Sequence, residues 1–361
     1  MTVTPEMISW GQYSKYAGAY FKGVQRYKLP ENLSELDKWL AVITACESGH
    51  YDAINGYDAG IFSLGLIQWV EINQFNVSNM LGEVIEKCGP EAVMIPLKPA
   101  FELTNSTFKK NAQGKWRFSF LDSRGDVINS EKTRELFLGC SGQKDAWTPE
   151  AVKRTKLWAS CIANVWESEA ARKVQDEFTC SRLKWFIMPD AKAVLFDGTP
   201  DDPWPAATRA AYVSFAINLP AVANSMVKSA SEVLTHKKWS PEWCTLVIKQ
   251  MTFGPKVTIY PARYNAIRPM IEKLWGISLP KNAELLAKYG LEPAKEAVSV
   301  DPPVPPEAHR PPTENSKTEP EVKPQPDKKN IPVAIPVPEV RGIFGFFLWV
   351  FDAIFAGRVK K

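Results

Sequence analysis

The stretch that most restricts what this chain can fold into is residues 43–69, ITACESGHYDAINGYDAGIFSLGLIQW. A helix must end inside it. Ser34 and Asp37 have the spacing of a capping box, with Asp in place of the usual Glu, and Pro30 stands just upstream. Leu36, Trp39, Leu40, Ile43 and Glu47 then recur at i, i+3, i+4, i+7 and i+11, one face of a helix with a 3.6-residue period. Glu47 thus extends an apolar stripe, and Ser48-Gly49 stops the helix behind it. A carboxyl at the end of a buried stripe loses solvation, and burial disfavours the charged form. A carboxyl that keeps its proton near neutral pH is what general acid catalysis requires. Beyond the helix, Tyr51–Ile54 and Tyr57–Ile61 read as two short strands about Asn55-Gly56, a hairpin turn signal. Asp52 falls on the first strand and Asp58 on the second. Gly60 and Gly65 let another segment or a ligand approach the backbone closely.

The rest of the chain bounds the setting. With 361 residues and 45% hydrophobic side chains, it can bury the core of one large domain or two. A net charge of +4, with no basic run interleaved with aromatics, argues against nucleic acid as a partner. Six cysteines, at 46, 88, 140, 161, 180 and 244, show no CxxC spacing, and there are only three histidines, at 50, 236 and 309. The expectation is reduced, mostly buried thiols, no metal site and no cofactor. Thirteen tryptophans are many. Most are expected in the core, although aromatic platforms also suit the apolar C–H faces of sugars.

Read in order, residues 1–33 look like a partly helical arm whose Trp10, Tyr13, Tyr16, Tyr20 and Phe21 pack on the main body. Asn76–Lys87 is a helix, stopped by Cys88-Gly89-Pro90. Residues 101–129 change character: Trp116, Phe118 and Phe120 alternate, Ser123-Arg124-Gly125 can turn, and Val127-Ile128 can return, which predicts a small β insertion. Glu131–Leu138 reads as a short helix. Helical patterns then cover 149–178, with Pro149 at N1 behind Thr148, and 205–217, 220–236, 241–251, 262–275 and 281–289. Composition breaks near 296. Residues 296–340 hold twelve prolines among many Lys and Glu, the pattern of an extended disordered linker. It leads to GIFGFFLWVFDAIFAG at 342–357, flanked by Arg341, Arg358, Lys360 and Lys361. As a helix this segment is too short for the roughly 30 Å hydrocarbon core and apolar nearly all round, so a membrane-interacting tail is expected.

A glycosidic bond is cut with a proton donor for the leaving oxygen and either a second carboxylate or another means of trapping the oxocarbenium ion. Glu47 and Asp58 supply such a pair; Asp52 competes with Asp58 but lies nearer the helix exit. Here the segment resembles the lysozyme superfamily in two ways. Glu47-Ser48 and Tyr51, followed by Gly65-Leu66-Ile67-Gln68, resemble the E-S…G-L-M-Q signature of soluble lytic transglycosylases and goose-type lysozymes. Glu47, Asp58 and Ser63, on a helix and hairpin, resemble the Glu–Asp–Thr arrangement of phage-type lysozymes. The resemblance spans about 30 of the 361 residues. It implies Glu47 as the acid, Asp58 as the holder of water and Ser63 in place of the Thr, with Gln68 lining the cleft. Two departures stand out. The separation of Asp58 from Ser63 is odd, which puts them on opposite strand faces unless Gly60 forms a bulge. The later Tyr-Asn motif of the transglycosylases is matched only by Tyr264-Asn265, without its following glycine, or by Asn218. Tyr57, Gln68, Asn218 and Tyr264 are therefore the candidate substrate-binding residues.

The resulting expectation is a mainly helical α+β, lysozyme-like domain over 1–295, with a small hairpin sheet beside the cleft. A Pro-rich linker over 296–341 and a hydrophobic tail over 342–361 follow. The function implied by the resemblance is cleavage of peptidoglycan glycan strands, as by a phage endolysin. The partners are then the glycan and membrane lipid, with the chain a monomer. It would be held in the cytoplasm of an infected bacterium before lysis and reach the membrane and periplasm afterwards, since no signal peptide is evident. Lytic transglycosylase chemistry, a non-catalytic glycan-binding or virion protein, and a membrane-tethered wall-remodelling factor are the alternatives. Chitin and chitosan also stay open as substrates.

Overall fold

Helix α1 spans Glu35–Cys46 and begins as its sequence dictates. Ser34 Oγ accepts from Asp37 N at 3.1 Å, and the Asp37 carboxylate accepts from Ser34 N at 2.9 Å, so both halves of the capping box form. Trp39, Leu40 and Ile43 are buried and Leu36 packs on them from the edge. The helix closes at Glu47, whose N–H donates to Ile43 O at 3.0 Å while its own backbone turns extended. Gly49 follows at φ +64°, and a Cβ there would lie 2.8 Å from Thr44 O, so only glycine continues the chain at this point.

The computed structural model describes residues 3–13, 16–56, 62–71, 75–121, 124, 148–218, 220–221, 223–224, 227–228, 237–253 and 261–281. All belong to one unit, Met1–His309; the second, Arg310–Lys361, lies outside the described residues together with the expected hydrophobic tail. Among the described residues no helix is long and apolar enough to cross a membrane.

The fold is mainly helical α+β with a small antiparallel sheet. Five strands run in the order β1-β2-β3-β4-β5: Ile8–Tyr13, Tyr16–Phe21, Ile54–Asn55, Ser63–Leu64 and Trp69–Val70. The N-terminal arm is thus mainly strand, with one short 3-10 helix at Pro5–Met7. Its alternating aromatics build β1 and β2, which pair from Ile8↔Phe21 to Tyr13↔Tyr16, and Phe21 is buried. The second correction concerns the hairpin. Ile54 pairs with Leu64 and Asn55 with Ser63, so Asn55-Gly56 is not a two-residue turn but the start of a longer connection. Tyr57 to Ile61 lie outside the described residues. The Asn55-Gly56 signal was overridden because Asn55 is already taken by β2, opposite Tyr20.

The β insertion forms, with a different partner. β6 (Ser106–Lys110) and β7 (Trp116–Phe120) pair through a turn at Asn111–Lys115, so the strand opposite the aromatic run precedes it. Phe118 meets Phe108 at 4.6 Å between ring centroids and Trp158 at 6.2 Å. Trp116 lies over Gly82, where a Cβ would come within 2.8 Å of the indole. Around this hairpin stand α2 (Asn76–Cys88), α3 (Glu91–Thr104) and α4 (Pro149–Trp166). Helix α3 escapes a propensity reading because it contains Pro96 and Pro99. Its buried Val93, Leu97, Ala100 and Phe101 nevertheless have helical spacing and pack on α4.

The pattern over 149–178 is two helices rather than one. Trp166 ends α4, and Ser168 caps α5 (Glu169–Leu183) by accepting from Ala171 N. Helices α6 (Pro203–Ala216), α7 (Pro241–Phe253) and α8 (Pro261–Trp275) follow close to their expected bounds. The helices expected at 131–138 and 281–289, and much of 220–236, fall outside the described residues. Helix α1 packs on both α6 and α8, and this three-helix junction positions the site.

Two acids, Glu71 in the core and the half-buried Asp176, give the fold a measurable pH response. Burial raises Glu71 from 4.5 to about 7, although its oxygens accept from Ser78 N and Oγ at the start of α2. Burial likewise raises Asp176 on α5 from 3.8 to about 7; Tyr51 OH donates to its Oδ2 at 3.1 Å. Each acid holds its proton more tightly folded than unfolded. Their contribution to stability is therefore full below about pH 4 and is lost as pH rises through 7. By linkage the effect is on the order of 3–4 kcal/mol for each acid. The thermal melt is expected to rise between pH 7.5 and 5, and the combined Glu71→Gln and Asp176→Asn variant to lose most of that rise. An unchanged rise in the variant would assign it to other groups.

Candidate active site

The functional candidates converge where three helices meet. Glu47 leaves the end of α1 with its side chain 13% exposed. Arg263, in the first turn of α8 and 6% exposed, donates from Nη2 to Glu47 Oε1 at 2.5 Å. The same guanidinium reaches Ser214 O on α6 at 2.6 Å and Cys46 Sγ at 2.9 Å from Nη1. Asn218, just past α6 and exposed, donates from Nδ2 to Glu47 Oε1 at 3.0 Å. One carboxylate oxygen is thus clamped by two donors, while Oε2 takes no hydrogen bond from a described residue. At Cys46 desolvation outweighs Arg263 and pushes the thiol up to about 12, so it is an inert neighbour rather than a nucleophile.

Glu47 lines a cleft of about 690 Å³, within the range of small-molecule sites. Lys22, Arg26 and Tyr27 form one wall, Pro269, Met270 and Lys273 the other, and Ser48, Gly49 and His50 lie beside Glu47. His50 Nδ1 stands 2.6 Å from Ser48 O, which fixes the proton on Nδ1 and leaves Nε2 as the acceptor of the neutral ring. Among the described residues lining this cleft there is no tryptophan. Trp39, Trp69, Trp158, Trp166 and Trp243 are buried instead, and Trp185 is exposed beside Arg182.

The two halves of the Glu-Ser…Gly-Leu-Ile-Gln pattern touch. Ser48 Oγ donates to Gly65 O at 2.8 Å, and Gly49 N donates to Leu66 O at 3.3 Å. Gln175 of α5 locks the junction: its Oε1 accepts from Leu66 N at 2.9 Å, and its Nε2 donates to Tyr51 O at 3.2 Å. Gly65 must be glycine twice over, since φ is +85° and a Cβ would sit 2.4 Å from Gln175 Oε1. The spacing of the motif is therefore what holds Glu47 and the sheet together.

The remaining candidates divide. Ser63 is fully buried in the middle of the three short strands β3 to β5, and its Oγ donates to Gln68 Oε1 at 3.2 Å. It braces the sheet and cannot meet a substrate there. Gln68, at φ +59°, is half-buried and accepts that bond, and it is not among the residues lining the Glu47 cleft. Tyr264 is fully buried with its hydroxyl donating to Pro280 O at 2.7 Å, so it is a core residue and not a cleft residue. Asp52 is buried and accepts from Val24 N at 3.0 Å and Gln25 N at 2.9 Å, a structural clasp on the segment after β2. Tyr57 and Asp58 lie outside the described residues. Arg263, the strongest partner of Glu47, carried no signal in the sequence: it stands 216 residues away.

The fold and site thus define a mainly helical α+β protein with a clamped carboxylate in a basic cleft. No family model, curated protein or solved structure matches the chain.

Proposed function

We propose that this protein cleaves the glycan strand of peptidoglycan, with Glu47 as the general acid. The observation that carries the reading is the asymmetric holding of that carboxyl: Oε1 is clamped by Arg263 and Asn218, and Oε2 has no partner among the described residues at the edge of a ligand-sized cleft. A proton on Oε2 can be delivered to a leaving oxygen without any change of rotamer, and Arg263 then stabilises the carboxylate that remains. Asp58, on the connection that follows Asn55, is the proposed holder of the attacking water. The lysozyme-like resemblance of residues 47–68 supports the same chemistry, and lytic transglycosylase action, in which Glu47 alone suffices, is its variant.

A second reading takes the Arg263 clamp as its support: a carboxylate already satisfied by a buried guanidinium can serve a glycan-binding protein that cuts nothing. Incubation with purified cell wall decides between them. The expected result is clearing of turbidity with new reducing ends, whereas 1,6-anhydro ends would assign the transglycosylase variant and no product at all would leave the binding reading. The proposal extends to residues 342–361 as a membrane-seeking tail on a Pro-rich tether, which fits an endolysin that must act beyond a membrane. A chain ended before Asp301 is then expected to clear purified wall at the full rate and to stop co-sedimenting with anionic liposomes. Equal liposome binding by both forms would remove the tail from the proposal.

A further inference from the structure

The Glu47 cleft carries more positive charge than holding Glu47 requires. Lys22 and Arg26 enter it from the segment after β2, and Lys273 from the last turn of α8. All three are exposed, and none of their side chains makes an ion pair or hydrogen bond with a described residue. Several cations elsewhere are paired with carboxylates: Lys87 meets Glu177 at 2.7 Å, Lys110 meets Glu86 at 2.8 Å and Arg154 meets Glu150 at 2.7 Å. Among the described residues lining the cleft the only acid is Glu47, and Arg263 is its partner. Three cations on two separate elements therefore face one space with no further acid among those residues. Low-dielectric walls concentrate such a field on whatever occupies the cleft.

We infer that Lys22, Arg26 and Lys273 form a subsite for carboxylate groups on the substrate, so that the cleft selects an acidic glycan by its charge. This rests on the proposed glycan-cleaving function and adds a specificity rule to it. A sugar backbone against Glu47 places its substituents over the Lys22–Arg26 wall and the Lys273 wall. Peptidoglycan carries carboxylates on its peptide stems, and on its lactyl ethers where no stem is attached. Chitin offers no charge to these residues, and chitosan offers the wrong sign. The ranking follows from charge alone: acidic polymer first, neutral second, cationic last.

Calorimetric titration of the full-length protein tests the subsite, with three soluble probes: an acidic muropeptide fragment, the same fragment with its carboxyls amidated, and chitotetraose. Exposed charge pairs are each worth up to about fivefold in affinity, so the acidic fragment is expected to bind ~10–100-fold more tightly than its amidated form. That margin is expected to shrink as salt is raised. The Lys22→Gln, Arg26→Gln, Lys273→Gln triple variant removes only exposed side chains and is expected to melt with wild type. It should bind the acidic fragment no better than the amidated one and leave chitotetraose binding unchanged. Wild-type protein that binds acidic and amidated fragments equally, or a triple variant that keeps the preference, overturns the subsite. Because the readout is binding, a charge preference in a protein that cleaves nothing supports the subsite while it removes the proposed activity.

Discussion

Glu47→Gln is expected to lower the rate of wall clearing by about 10²–10⁴-fold, the usual worth of a positioned general acid. The amide keeps an oxygen for Arg263 and Asn218, so the clamp survives in shape; what it lacks is a proton to give from the second position. The melt is not expected to stay at the wild-type value. Arg263 is 6% exposed and loses the Glu47 counter-charge in this variant, although Ser214 O still accepts from it. Hydrogen bonds to charged groups are worth roughly 1.5–3 kcal/mol, so a fall of several degrees should accompany the loss of activity. A folded Glu47→Gln protein that clears wall at the wild-type rate would end the assignment of Glu47 as the acid.

Arg263→Met is expected to have the largest effect on stability. Its guanidinium ties the end of α1, through Glu47 and Cys46, to Ser214 near the end of α6. Removing one partner of a buried pair leaves an uncompensated charge, which costs about 3–5 kcal/mol. The double variant Glu47→Gln, Arg263→Met takes away both charges and should recover part of that loss, since coupled residues do not add. Denaturant unfolding of the two single variants and the double variant measures the coupling. The same set separates structure from chemistry. If Glu47 served only as a strut, the double variant would regain stability and activity together; the proposed acid predicts regained stability without activity. Simple additivity of the three stability changes would show that the pair is not coupled in solution.

Much of the site's scaffold was legible in the chain. Ser34, Asp37 and the Leu36–Trp39–Leu40–Ile43 stripe define α1 and its stop at Glu47, because capping and a 3.6-residue period are local and each signal lies within a few residues of the next. Glycine was legible in the same way: Gly49 and Gly65 hold backbone angles that other residues resist. Alternation was less reliable, since it marks strands without naming their partners. The aromatics of 8–21 are strands within what reads as a partly helical arm, and Asn55-Gly56 looked like a tight turn although β2 and β4 both claim Asn55. Helix α3 was hidden by Pro96 and Pro99, whose local cost is offset by burial of Val93, Leu97, Ala100 and Phe101.

Tertiary structure alone decided what surrounds the carboxylate. Local sequence placed Glu47 at a helix end, but Arg263 and Asn218 arrive from 216 and 171 residues away, and no periodicity or motif links positions so distant. Folding also sorted residues of equal promise: Tyr264 went to the core and Ser63 to the sheet interior, whereas Asn218 came to the acid. Lys22, Arg26 and Lys273 read singly as ordinary surface charges, and they come to line one cleft only when α8 packs on α1 beside the segment after β2. Secondary structure is written in neighbouring residues because its hydrogen bonds close within a few positions. A site is made of side chains that only the packing of helices brings together, and that packing is a property of the whole core.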